Sequence, residues 1–320
     1  MTIEDLYDLL FIDKNIGTIV GNNGTILRTT DGGINWIKQS SGTNNFLSSV
    51  FFNNTNNGWA VGWYGEVLRT TNGGTTWIPL SFVSTSELLE RVFFNNENIG
   101  WIIGRNGLVL KTSNGGLSWN QISIGTSSNL YDITFIDDNN GWIVGSEGAI
   151  FKTINGGNNW NTETSGTSKS LGNVFFTNLN NGWAIGWDNI VLHTTDGGET
   201  WILQPISTTN NFIDIFFTDD NNCWIVGYEG TIYSTINGGL SWELQSSRTT
   251  NYLFGITFTD TNNGWIVGQE GTILHTTNGG VTFIEDENNF TQPEQFLLQQ
   301  NYPNPFNPST KISWQSPVGS

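Results

Sequence analysis

The residues able to do chemistry in this chain are nearly all carboxylates. Twenty-eight Asp and Glu stand against 11 Lys and Arg, two histidines and one cysteine. Two carboxylates held roughly 5–10 Å apart across a sugar would hydrolyse a glycosidic bond, so closely spaced acids come first. Asp137-Asp138 and Asp219-Asp220 are such runs, each followed by Asn-Asn. Asp and Asn at that spacing bond the amides of their own turn, and these acids read as turn formers. They form no EF-hand ladder for calcium. Cys223 has no second cysteine and no histidine nearby in sequence. That excludes an intramolecular disulfide and a cysteine-based zinc cluster, and Cys223 reads as a substitution tolerated in a turn-glycine position. His193 and His275 leave little for metal chemistry. Every Gly-x-x-Gly lies in a hairpin without a following helix, so no phosphate loop is present. No catalytic residue, metal ligand or cofactor is assigned.

The net charge of -17 argues against nucleic-acid backbones and anionic lipid as partners. No apolar run of about 18 residues exists to span a membrane. Met1 to Tyr7 lacks the basic and apolar regions of a signal peptide.

Whatever site exists is positioned by a repeat. Gly-Gly recurs at 32, 73, 115, 156, 197, 238 and 279, spaced 41 residues five times and 42 once. Phe11, Phe52, Phe94, Phe135, Phe176, Phe217 and Phe258 keep the same phase. Of 15 tryptophans, 12 fall in two columns, one from Trp59 to Trp265 and one from Trp36 to Trp242. Rings placed so regularly read as packing residues. Each unit divides into four short strands. In the fourth copy these are Leu130 to Ile136, Trp142 to Val144, Ala149 to Ile154 and a strand beginning near Trp160. Asn- and Gly-rich turns separate them. No 3.6-residue apolar period appears, so almost no helix is expected. Runs such as Val50-Phe51-Phe52 are apolar on both faces, as in a sheet stacked between two others. The pattern predicts an all-β, seven-bladed β-propeller with four antiparallel strands per blade and a repeat of about 41 residues. The first copy has its own first strand and the seventh its own fourth, so each repeat is expected to make one blade, with no strand exchanged.

Thr29-Thr30-Asp31-Gly32-Gly33-Ile34-Asn35-Trp36 and the 194–201 segment resemble the Asp-box of bacterial neuraminidase repeats; five other copies carry Asn for Asp. Gly141-Trp142-Ile143-Val144-Gly145 followed by Lys152-Thr153-Ile154-Asn155-Gly156-Gly157 looks like the photosystem II assembly and stability factor propellers. That resemblance implies a propeller scaffold for another protein. A sialidase-like hydrolase is a further alternative. Sialidases bind the substrate carboxylate with three arginines, whereas only Arg28, Arg69, Arg91, Arg105 and Arg248 are present. Arg28 and Arg69 share a ring column with Lys111, Lys152, His193 and His275, which reads as blade packing or as a weakly basic band. The tail segment 300–312, Gln-Asn-Tyr-Pro-Asn-Pro-Phe-Asn-Pro-Ser-Thr-Lys-Ile, resembles the start of a type IX secretion C-terminal sorting domain. The expected organisation is a propeller over 1–287, a linker over 288–298 and a truncated sorting domain over 299–320. The sorting resemblance implies a secreted or cell-surface protein that engages the type IX machinery.

Candidate ligand residues lie where the repeat breaks. The turn between strands two and three is expected on the usual ligand face of propellers, opposite the boxes. Its variable positions hold Trp63, Tyr64, Arg105, Glu147, Trp187, Asp188, Tyr228, Glu229 and Glu270. Trp63 and Trp187 lie outside both packing columns. Exposed rings stack sugars or anchor partner side chains, and the acids would bond hydroxyls or cations. The expected function is non-enzymatic recognition of a glycan or a protein partner.

Overall fold

The computed structural model describes residues 2–80, 85–280 and 284–285. Two units divide the chain, at 1–285 and 286–320. The expected linker and sorting segment fall in the second, outside the described residues.

The first unit is a seven-bladed β-propeller. It comprises seven antiparallel four-stranded sheets, each following simple chain order. In blade four the strands are Leu130–Phe135, Gly141–Gly145, Ile150–Thr153 and Asn161–Glu163. Phe135 pairs with Gly141, Gly141 with Thr153, and Lys152 with Asn161. The other innermost strands are Leu6–Phe11, Leu47–Phe52, Leu89–Phe94, Leu171–Phe176, Phe212–Phe217 and Leu253–Phe258. Every second strand is buried throughout, because a sheet lies on each side of it. Fourth strands such as Ile37–Gln39 form the outer, mostly exposed edge.

Aromatic interleaving holds the blades face to face. The strand-two tryptophan of one blade stacks on the strand-one phenylalanine of the next. Trp59 lies 4.0 Å from Phe94, Trp101 4.1 Å from Phe135 and Trp142 3.5 Å from Phe176, centroid to centroid. The same tryptophan abuts the second box glycine of that next blade. A Cβ on Gly116 would stand 2.4 Å from Nε1 of Trp59, and one on Gly157 2.8 Å from Nε1 of Trp101. The Gly-Gly column is therefore a socket for the neighbouring indole. Each box turn is tied by its threonine and Asp or Asn: Thr29 Oγ1 donates to Asp31 at 2.8 Å and accepts from Gly33 N at 3.0 Å.

The ring closes without strand exchange. Blade seven is completed by Ile284–Glu285 pairing with its own third strand. Trp265 of blade seven stacks 4.2 Å from Phe11 of blade one, over the Gly33 socket. The joint between blades one and two departs from this scheme. There Thr18 occupies the tryptophan position and is buried. The socket at Gly74 meets only ordinary contacts from Phe52, Trp77 and Arg28. Arg28 partly replaces the missing indole, its Nε donating to Gly73 O at 2.6 Å.

Candidate functional site

A β-bulge at the second residue of every innermost strand builds the site. Pairing skips from Leu6 to Asp8, Leu47 to Ser49, Leu89 to Arg91, and equivalently in the other four blades. A bulged residue is released from the ladder, so its side chain can be re-aimed. The released column is Tyr7, Ser48, Glu90, Tyr131, Gly172, Ile213 and Phe254, and all seven line one cavity of about 520 Å³ at the channel mouth. That volume lies within the roughly 300–1,000 Å³ of small-ligand sites.

Aromatic rings form the wall. One arc runs from blade six round to blade two. Tyr228 stacks on Tyr252 at 4.1 Å and 2°, Tyr252 meets Phe254 at 6.4 Å, and Phe254 stacks on Tyr7 at 4.6 Å. Tyr7 then meets Phe46 edge-on at 4.5 Å, and Phe46 meets Trp63 at 5.4 Å. A second cluster pairs Tyr131 with Trp187 at 5.0 Å. Gly172 lies beside Trp187, whose ring a Cβ there would meet at 3.7 Å, an ordinary contact. Arg105 and Glu90 form a 3.3 Å ion pair in blade three.

The floor is a ring of polar residues one position further along the strand. Arg91 reaches across the channel to Asp8 at 3.3 Å and to Asp132 at 3.0 Å. Asp8, Asp132 and Asp214 each accept the backbone N–H two residues beyond the bulge in the next blade, from Val50 at 2.8 Å, Val174 at 3.0 Å and Ile256 at 2.8 Å. Asn173 donates to Asp214 at 2.8 Å. The floor therefore staples successive blades as well as carrying charge. Its formal balance is three carboxylates to one guanidinium, in a buried setting where excess negative charge is costly. Burial pushes the Asp132 carboxyl up to about 6 and the Asp214 carboxyl up to about 7, against the pull of Arg91. The flanking carboxylates in turn hold the Arg91 guanidinium firmly protonated.

Between about pH 4 and 7 the folded chain holds protons on Asp132 and Asp214 that the unfolded chain has released, so these groups lose stability as pH rises. Half-buried His193 and His275, whose pKa values are lowered by burial, oppose this below about 6.5. The turn acids Asp31, Asp137, Asp196, Asp219 and Asp260 are held low and lose their contribution only below about pH 4. Asp214→Asn removes one of the two rising carboxyls. Its melting temperature is expected to vary less between pH 5 and 8 than that of the wild type, and an unchanged slope would show that Asp214 does not titrate there.

Among the nine candidates, Trp63, Arg105, Trp187 and Tyr228 occupy the first turn position and line the mouth. Tyr64, Glu147, Asp188, Glu229 and Glu270 occupy the second. All five are exposed with φ between 54° and 58°, and they are not among the cavity's lining residues. The turn geometry forces this split, since the left-handed residue faces away from its predecessor. Asp188 pairs with Lys169, and Glu229 borders a separate groove with Arg248. The basic column packs over the strand-two tryptophans. Lys111 Nζ lies 5.6 Å from the Trp101 ring centre, and His193 stacks 4.4 Å from Trp183. Asp137 is spent on its own turn, accepting from Asn139 N at 2.7 Å and Asn140 N at 2.8 Å.

Sequence reasoning passed over Asp8, Arg91, Asp132, Asp214 and the whole bulged column. The signal was present. Charged residues recur at the third position of an otherwise apolar inner strand, a place where an unpaired charge would not be tolerated.

A family profile described as "Photosynthesis system II assembly factor YCF48" matches residues 1–77, 41–127, 117–208 and 201–286. No curated protein sequence matches the chain. Among solved structures, the chain is similar to YCF48 bound to D1 peptide (24% identity, 87% of this chain and 94% of that one, TM-score 0.74). It is also similar to YCF48 from Cyanidioschyzon merolae (22%, 87% and 96%, TM-score 0.70). A GH74 xyloglucanase from Xanthomonas campestris shares the fold at 12% identity, with 88% of this chain covering 54% of that one at a TM-score of 0.71.

Proposed function

The chain belongs to the photosynthesis system II assembly factor YCF48 family, and from that membership we propose that it is a non-catalytic scaffold that holds a segment of a partner protein across its channel mouth. The observation that carries the reading is the seven-residue bulged column, which turns the mouth into an aromatic-walled cavity. Aromatic anchors in a concave site dominate protein recognition energies. The similar YCF48 structure was solved with a D1 peptide, which supports a peptide as the class of ligand. Catalysis is disfavoured by the way the floor carboxylates are used, since Asp8, Asp132 and Asp214 each hold backbone amides of the next blade. The sorting-domain resemblance of the tail supports placing this activity outside the cytoplasm, on an exported protein.

Selection of displayed random 12-residue peptides on the immobilised full chain tests the reading. We expect enriched peptides whose affinity falls at least about tenfold for Trp63→Ala/Trp187→Ala/Tyr228→Ala, as truncation of clustered aromatic anchors does. No enrichment, with saturable tryptophan quenching by a polysaccharide instead, would replace the protein partner by a glycan.

A further inference from the structure

We propose that the mouth recognises a cationic side chain, a Lys or Arg of an extended peptide lowered between the aromatic walls toward Asp214. The inference rests on the peptide-binding reading and names the chemistry of its ligand.

The unbalanced charge at the floor points there. Arg91 is committed to Asp8 and Asp132. The Arg105–Glu90 pair above it is internally balanced. Asp214 borders the same cavity and is nine-tenths buried. Its oxygens accept from Ile215 N, Asn173 and Ile256 N, and no cation of the described residues lies within ion-pairing distance of it. The mouth thus ends in one carboxylate more than its own guanidinium pairs with directly, and a cation supplied by a ligand would offset that excess.

The walls fit the same guest. Tyr228, Tyr7, Phe254, Trp63 and Trp187 line the cavity, and ring faces attract Lys and Arg head groups while packing their aliphatic stems. The chain's net charge of -17 would draw a basic segment in from a distance. The raised carboxyl of Asp214 adds a linkage. A cation beside it displaces its proton, so affinity should increase from pH 5 to pH 8. The charged and polar groups facing Asp214 across the floor are Asp8, Arg91, Asp132 and Asn173. Of these, Asp132, whose carboxyl is pushed up to about 6, also ionises over that range and reinforces the increase, so the comparison with Asp214→Asn assigns the share of Asp214.

The peptides enriched in the selection decide the matter. We expect Lys or Arg at one fixed position, with at least about tenfold weaker binding when that residue is replaced by norleucine. Wild-type affinity should increase between pH 5 and 8 and weaken with salt, two readouts that do not depend on how well any variant folds. Asp214→Asn should abolish the preference for the basic residue over norleucine while leaving residual binding. Enriched peptides lacking a fixed basic residue would overturn the inference and leave the peptide-binding reading standing. A basic preference that survives Asp214→Asn unchanged would overturn it as well. Failure to enrich any peptide would sink the underlying reading itself.

Discussion

Replacing Gly62 by alanine is expected to destabilise the propeller by about 3 kcal/mol or more, the upper range for forced overpacking. The new Cβ would stand 1.8 Å from the carbonyl oxygen of Phe46 and 3.0 Å from Cα of Leu47. Both are backbone atoms at the entry to the facing innermost strand, just before the bulge at Ser48, so no rotamer change relieves the clash. Gly62 is extended, at φ -175°, and has no conformational need to be glycine. The cost is one of space. Gly42→Ala supplies the contrast, because its Cβ would meet nothing within 4 Å but its φ is +77°. That substitution should cost only about 1–2 kcal/mol of left-handed strain. Thermal unfolding of the two variants side by side measures the difference. If Gly62→Ala melts alongside Gly42→Ala, the bulge is more pliable than its geometry indicates. Trp63 follows Gly62 directly, so the same variant should also weaken peptide capture at the mouth.

Arg91→Leu is expected to cost about 3 kcal/mol at pH 8, the low end of the penalty for removing one partner of a buried ion pair, because the arginine keeps 32% of its side chain exposed while Asp8 and Asp132 are buried. Three floor carboxylates would then share no cation, and each is tied to a blade boundary by a backbone amide. The loss should shrink at pH 5, where Asp132 and Asp214 take up protons in the folded chain. Chemical unfolding at both pH values checks this. A small loss that is the same at both pH values would mean that the floor carries no strong charge coupling.

The architecture was readable because each blade makes the same demands at the same phase. The tryptophan columns, Gly-Gly sockets and turn residues are all local solutions to stacking one sheet on the next; the Gly-Gly pair recurs in all seven copies and each tryptophan column in six. Blade count, strand order and closure followed from them. The site was only half legible. Trp63 and Trp187 stood out because they break the columns. The division between Trp63, facing the cavity, and Tyr64, facing away, depends on a left-handed turn residue that Asn, Tyr, Glu and Asp all occupy here. The bulged column stayed hidden for a different reason. A bulge changes which way a side chain points without changing the apolar pattern of the strand, so Tyr7, Glu90 and Tyr131 look like ordinary strand residues. Arg91 and its acids come from blades one, three, four and six, and no local window contains them together.

The Thr18 joint, held by the Asp8 staple to Val50 N but lacking an indole, is where this ring is expected to be weakest. Closure usually makes the meeting of first and last blades the vulnerable point, but here Trp265 bolts that meeting shut. The slack lies one blade further on, where a buried threonine and a borrowed arginine stand in for an indole. Under tension, or during turnover by a protease, the circle should part between its first and second petals. A rewired chain with its ends moved to that gap would then give up little stability.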